Sequence, residues 1–270
     1  MSGRLRIGPE GKRLGMDRDD HRRLADANLL ARFDLTRRHV GDPRGGIERF
    51  GAVDVVAIGV DVSYFNSVFV ADPASRPEDV LAAVEWVEAR RLPVMVRVRD
   101  DVDPAMRATM ASTGLTPNPL PLPVMALEPI PSSRSTPPAG VTFRTGGAEL
   151  FDDFHAALES GDVIRRVFGP TLVADPAVRL AVAYEDRQPI ACATAIRSDS
   201  TIGVYAVATI ERARRRGIGR AVSWAAIDAG RAAWGGTIAI LQSNDLGLPV
   251  YRSMGFEEVA RYVLYARRSA

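Results

Sequence analysis

Cysteine is almost missing from these 270 residues. Cys192 stands alone, which excludes an intramolecular disulfide and any cysteine-rich metal site. It sits in the apolar run "PIACATAIR" and reads as a small buried hydrophobe, not a nucleophile. Lysine is as scarce: Lys12 is the only one, so all but one of the 35 basic residues are arginine, which points to codon usage more than to mechanism. Histidine occurs three times, at His21, His39 and His155, and never at a metal-ligand spacing, so no metal is expected. No run approaches the roughly 20 apolar residues of a membrane span. The N-terminus "MSGRLRIGPEGKRLG" also lacks the apolar core of a signal peptide, so a cytoplasmic protein without membrane contact is expected. Charge imbalance is small, +2 at pH 7, so no global field drives the chain onto nucleic acid or anionic lipid. Any basic function has to be local.

What is present is an ordinary globular composition, 46% hydrophobic and 25% charged, at a length natural for two domains. The stretch "LEPIPSSRSTPPAGV" from Leu127 to Val141 cannot hold a helix or a central strand. It divides the chain into an N-terminal domain at 1–130, a Pro/Ser-rich linker at 131–140 and a C-terminal domain at 141–270. After the linker, "GVTFRT" reads as a strand and "GGAELFDDFHAALES" as a helix. "RLAVAYEDRQPIACATAIR" reads as a hairpin turning at Asp186 and Arg187, and "TIGVYAVAT" as an interior strand. Ile218, Ala221, Val222, Ala225, Ala226 and Ala229 mark one helix face. "GTIAILQS", "LPVYRSMG" and "EEVARYVLYAR" complete the half as strand, short helix and strand. The first half repeats the order more faintly, with "STGL" at Ser112–Leu115 answering "SMGF" at Ser253–Phe256 at an offset of 255 − 114 = 141. His21 and His39 lie in charged stretches that read as a solvated helical face, and His155 as a surface or packing histidine.

The segment "ERARRRGIGRAVSW" carries the chemistry. The first amides of a helix lack intrahelical partners and sit at the positive end of its dipole. Gly217 and Gly219 leave those amides unshielded, while Arg214, Arg215, Arg216 and Arg220 surround them with charge: a seat for a pyrophosphate. A P-loop is excluded because no lysine and hydroxyl follow Gly219, and a dinucleotide fingerprint because Val222 stands where a third small residue is needed. At offset 141, Glu78 falls opposite Gly219, and a carboxylate there repels phosphate. Only the second half can hold the anion.

Arg214-Arg215-Arg216-Gly217-Ile218-Gly219 fits [RQ]-x-x-G-x-[GA], and Asn244, Gly247, Tyr251, Gly255 and Phe256 fit N-x-x-[AG]-x-x-x-Y-x-x-x-G-F. Together these resemble the acyl-CoA signatures of the GNAT acetyltransferase superfamily over residues 141–270. The first half is similar to the degenerate N-terminal halves of tandem members. The resemblance implies an α+β fold: two tandem GNAT-like domains, each a mixed, mostly antiparallel sheet flanked by helices. It implies an acetyl-CoA-dependent N-acetyltransferase acting by direct attack in a ternary complex, with acetyl-CoA as cosubstrate. The backbone of Val207, Ala208 and Thr209 would pair with the pantetheine arm, and the turn from Arg214 through Ile218 to Arg220 would hold the pyrophosphate. Tyr251 matches the general acid, against the plainer reading of a tyrosine packed on the sheet. Asn244 would contact the CoA arm or cap the following helix. No acid stands in "TIGVYAVAT", so the general base is open. Tyr205, two residues before Val207 and hence expected on its face, and Asp162, Arg165 and Arg166 in "SGDVIRRVFGP" are candidates for binding an amine acceptor, small molecule or peptide. The rival reading is a non-catalytic acyl-CoA sensor. Nucleic-acid binding is disfavoured because stacking aromatics are absent beside the arginines. A monomer or a homodimer is expected.

Overall fold

Short apolar runs, rich in valine in the first half and in alanine and isoleucine in the second, fix the strands, and helices with one apolar face cover them. The computed structural model describes residues 16–102, 104–118, 122–132 and 138–267. Lys12, the N-terminal stretch before residue 16 and the centre of the linker, 133–137, lie outside the described residues.

In the first half the order is α1 (Arg18–Val40), β1 (Gly46–Phe50), β2 (Val53–Ala57), β3 (Asn66–Val70), α2 (Pro77–Glu88), β4 (Met95–Arg99), α3 (Pro104–Ser112), β5 (Leu115–Pro117) and β6 (Leu122–Leu127). In the second it is β7 (Thr142–Gly146), α4 (Phe151–Leu158), α5 (Asp162–Val167), α6 (Pro170–Val173), β8 (Val178–Glu185), β9 (Gln188–Ser198), β10 (Thr201–Thr209), α7 (Ile218–Trp234), β11 (Ile238–Gln242), α8 (Leu248–Ser253) and β12 (Glu257–Arg267). The repeat is visible in the boundaries. Helices α2 and α7 start 218 − 77 = 141 residues apart, and α3 and α8 end 253 − 112 = 141 apart. Each half has one parallel pair, β3 with β4 and β10 with β11, among antiparallel neighbours.

The halves share one sheet, ordered β1-β2-β3-β4-β12-β6-β11-β10-β9-β8-β7, with β5 pairing β12. Each half completes itself with the other's last strand: β12 lies against β4 from Tyr262↔Arg99 to Ala266↔Met95, and β6 lies against β11 from Ala239↔Leu127 to Gln242↔Val124. β6 and β12 pair with each other at the centre. Every strand edge at the junction is therefore hydrogen-bonded, which holds the halves in one register.

Helix α1 reinforces that junction. It buries Leu29, Phe33 and Leu35 in a core that also contains Phe154, Leu172, Leu180 and Tyr262, each such side chain contributing roughly 1.5–3 kcal/mol. The reading of its histidines as a solvated face is corrected here. His21 lies 2.8 Å from Glu128 and His39 lies 2.8 Å from Asp175, so the helix is pinned along its length. Asp26 adds a third tie, accepting from the Tyr262 hydroxyl at 2.6 Å and from Arg99. The buried face of α7 is also rotated from the alanine stripe: Ser223, Trp224, Ile227 and Gly230 are buried with Val222 and Ala226, because the larger Trp224 and Ile227 gain more by burial than alanine does.

Candidate functional site

The segment between β10 and α7 turns twice through the left-handed region, at Arg215 (φ 60°) and at Gly217 (φ 76°). Such alternation points successive backbone amides into one concavity, and the positive end of a 17-residue helix adds to it. A side chain at Gly217 would enter open space, so its backbone conformation is what selects glycine. At Gly219 a Cβ would stand 3.3 Å from Thr209 Oγ1, between the helix and the strand. The arginines are partly engaged. Arg214 Nε donates to the Thr209 carbonyl at 3.0 Å and Arg216 pairs with Glu185, whose carboxyl is held below its ordinary pKa by that guanidinium. Arg220 Nη2 reaches the Ser253 carbonyl at 3.4 Å, while its Nε is buried with no partner.

Strand β10 brings this turn against a split in the sheet. Its parallel pairing with β11 runs from Thr201↔Ile238 to Val204↔Leu241 and stops, although β10 continues to Thr209. On the other side the pairing with β9 shifts register between Tyr205 and Ala208. The cause is a bulge at Ala206, a non-glycine residue at φ 49°. The buried Cys192 thiol donates to the Ala206 carbonyl (3.6 Å), and burial pushes that thiol up to about 12, which fits an inert packing cysteine. The bulge also corrects one expectation. It breaks the two-residue alternation, so Tyr205, Ala206 and Ala208 pack toward the core beneath α1, while Val207 packs toward the core beneath α7.

Helix α8 supplies the next wall. Tyr251 is 8% exposed, its ring edge-on to Phe256 at 5.9 Å. Burial raises its phenol above the ordinary value, opposed by a hydrogen bond with Ser223 of α7. The proton thus stays on the oxygen throughout the neutral range. Asn244 caps the entry to α8: its side-chain carbonyl accepts from the Gly247 amide at 2.9 Å.

Residues 148–256 match the model of the acetyltransferase (GNAT) family, a span that includes the turn, the split strand and Tyr251. The C-terminal half is a GNAT domain. Among solved structures the whole chain is similar to a GCN5-related N-acetyltransferase from Kribbella flavida, with 22% identity, a TM-score of 0.71, and coverage of 93% of this chain and 96% of that one. It is also similar to a tandem GNAT protein from the clavulanic acid biosynthesis pathway, with 14% identity, a TM-score of 0.61, and coverage of 95% and 98%. A GCN5-related N-acetyltransferase from Sphaerobacter thermophilus is 20% identical at a TM-score of 0.60, over 81% of this chain and 77% of that one. These likenesses establish the fold: two GNAT-like halves in one chain, here sharing one mixed sheet flanked by helices. No curated protein matches the chain in sequence.

Below the bulge of the GNAT domain lies a cavity of about 290 Å³ at the seam between the halves. Arg32 of α1 and Tyr64 line it from the first half; Glu159, Ser160, Ile164, Phe168 and Ala206 line it from the second. The segment "SGDVIRRVFGP" does cover this space, but through residues other than its charged ones. Arg165 reaches Asp152 at 2.9 Å, Arg166 reaches Asp42 at 2.8 Å, and Asp162 opens α5 on the surface. Tyr205 turns its hydroxyl to Asn28, which donates in turn to Thr201 at 2.8 Å, and Arg32 lies 5.2 Å over its ring. His155 pins the covering segment from beneath. Its Nε2–H donates to the Phe168 carbonyl at 3.0 Å, and Nδ1 accepts from the Ser160 hydroxyl at 2.9 Å. Burial lowers its pKa and keeps it neutral.

Sequence reasoning missed Arg32, Tyr64 and Glu159. The signal for Arg32 was an arginine inside the otherwise apolar stretch "LLARF". Glu159 and Tyr64 carried none, because neither is near the motif in the chain. Among the described residues no helix is long and apolar enough to cross a membrane, and no group of three or more His, Cys, Asp or Glu is placed to hold a metal.

Proposed function

We propose that the chain is an acetyl-CoA-dependent N-acetyltransferase that moves an acetyl group to a primary amine by direct attack in a ternary complex. The observation that carries this reading is one coincidence. The strand edge left free beyond Val204 leads directly into the turn of left-handed Arg215 and Gly217 at the start of α7. The residues present fit the group: two glycines clear the approach, and the buried Arg220 Nε has no partner of its own.

In this reading the amides of residues 215–220 hold the pyrophosphate, with Arg214, Arg215, Arg216 and Arg220 around it. The backbone of Val207, Ala208 and Thr209 pairs with the pantetheine arm as an added strand, and one amide there polarises the carbonyl under attack. Asn244, with its carbonyl on Gly247, offers its amide group to the same arm. The bound thioester supplies the acyl group. Tyr251 protonates the sulfur as the acceptor nitrogen displaces it, and Glu159 takes the proton that nitrogen loses. Among the described residues, Glu159 is the one acidic residue that lines the cavity. Domain limits of 1–130 and 141–270 are part of this proposal, with the first half walling the acceptor cavity and lacking a phosphate seat.

Calorimetric titration of acetyl-CoA into the protein tests the seat. Binding of about one equivalent, lost in a Gly217→Glu, Gly219→Glu variant, is expected; a native protein that binds none sinks the reading. Tyr251→Phe separates an enzyme from a sensor, because only the enzyme loses turnover while its affinity for acetyl-CoA stays unchanged.

A further inference from the structure

The cavity between the halves contains a charge that the protein does not answer. Arg32 is 4% exposed and lines the cavity, and its Nε and Nη1 are buried without a hydrogen-bond partner. Its surroundings are rings: Phe33 at 4.7 Å, Tyr205 at 5.2 Å and Phe168 at 5.8 Å from its Cζ. Behind Tyr64 lies a second guanidinium, Arg97, fully buried and tied to Ser67 Oγ (3.0 Å) and the Tyr64 carbonyl (3.1 Å), with its Nη1 unpartnered. No carboxylate is paired with either arginine among the described residues, whereas Arg44, Arg99 and Arg166 nearby in the fold all find aspartates. Cation–π contacts offset part of the desolvation, but an unpaired buried guanidinium remains costly. A fold that keeps one on the wall of a cavity gains from it only when an anion enters.

Resting on the acyltransferase reading above, we propose that the acceptor is a small amine bearing a carboxylate, of the amino acid class, with the carboxylate on Arg32. A carboxylate answers the unpaired guanidinium charge, and about 290 Å³ admits a small molecule, not a folded protein surface. Glu159, also on the cavity lining, repels the carboxylate and attracts the amine end. Ala206, where the strand splits, lines the same space.

The test uses matched pairs, free α- and ω-amino acids against their carboxamides, read by thermal shift and calorimetry on the full chain without acetyl-CoA, then by thiol release with it. Acids are expected to bind and to be acetylated, and the amides to bind about 10- to 100-fold more weakly. Arg32→Met is expected to fold at least as stably as the native protein, since a shorter apolar side chain replaces an unpaired buried charge, and to lose the preference for acids. Several outcomes overturn the proposal: amides bound as well as acids, an acid preference surviving in Arg32→Met, or equal stabilisation by inorganic phosphate, which marks an adventitious anion only. A native protein that binds acetyl-CoA but none of the acids also overturns it while leaving the transferase reading intact. Failure to bind acetyl-CoA with acids still bound sinks the transferase reading and the acceptor role with it, leaving only a carboxylate site at Arg32. The native acid-against-amide comparison needs no variant, so a misfolded Arg32→Met does not decide the matter.

Discussion

The two halves differ most where their parallel strands meet. In the first, β3 and β4 stay paired from Ser67↔Met95 to Val70↔Val98, and β2 pairs β3 without a shift of register. In the second, β10 leaves β11 after Val204 and bulges at Ala206. The turns that follow diverge in the same sense. Helix α2 opens on Arg76, Pro77, Glu78 and Asp79, with Arg76 folded onto Asp79 at 3.1 Å, while α7 opens on a left-handed glycine. At offset 141 the buried Met110 answers Tyr251. One copy is closed and filled; the other has an open edge, an amide-lined turn and a phenol. The same topology therefore gives a wall in one half and the proposed reaction site in the other.

Tyr251→Phe should have the largest effect, lowering the rate of thiol release about 10²- to 10⁴-fold with acetyl-CoA affinity nearly unchanged. A rate within a factor of about two of native would reduce Tyr251 to the packing role that Met110 has. Next comes Gly219→Glu, which imports the first half's residue: calorimetry should show acetyl-CoA affinity falling about 100-fold or more. The reciprocal Glu78→Gly should gain no binding, because β3 and β4 leave no split. Measurable acetyl-CoA binding by the first half of Glu78→Gly would break the comparison. Ala206→Val puts a β-branched residue at φ 49° and should cost about 1–2 kcal/mol in denaturant unfolding, along with weaker acetyl-CoA binding. Smallest is a pH effect. His155 is depressed in the folded protein chiefly by burial, so the unfolded chain binds more protons once the pH falls to about 6.5 and below. Its share of stability is complete above that pH and is lost on acidification. His155→Gln should flatten the decline of unfolding free energy between about pH 7 and 5.

Much of the second half could be read directly. Asp186 and Arg187 both adopt positive φ, 48° and 66°, in the two-residue turn their position between alternating strands required. The arginine and glycine turn was equally legible, because glycine and helix-start chemistry act over a few residues. Ala206 gave no warning, since alanine seldom adopts a left-handed conformation and the bulge depends on β9, β11 and the Cys192 thiol together. The faces of β10 were misassigned for the same reason. Helix α1 read as two charged stretches because its histidines and arginines bond to residues more than 100 positions away, such as Glu128 and Asp175.

Local chemistry thus determined the elements, their order, the repeat and the arginine and glycine turn, all of which follow from periodicities and backbone preferences within about a dozen residues. Tertiary structure decided the exchange of β6 and β12, the split of the sheet and the cavity that leaves Arg32 unpaired. Strand partners are chosen by edges far apart in the chain, and a guanidinium becomes a site only when distant walls remove its water: Asn28 bonds Thr201 and Tyr205 across 173 and 177 residues to close those walls.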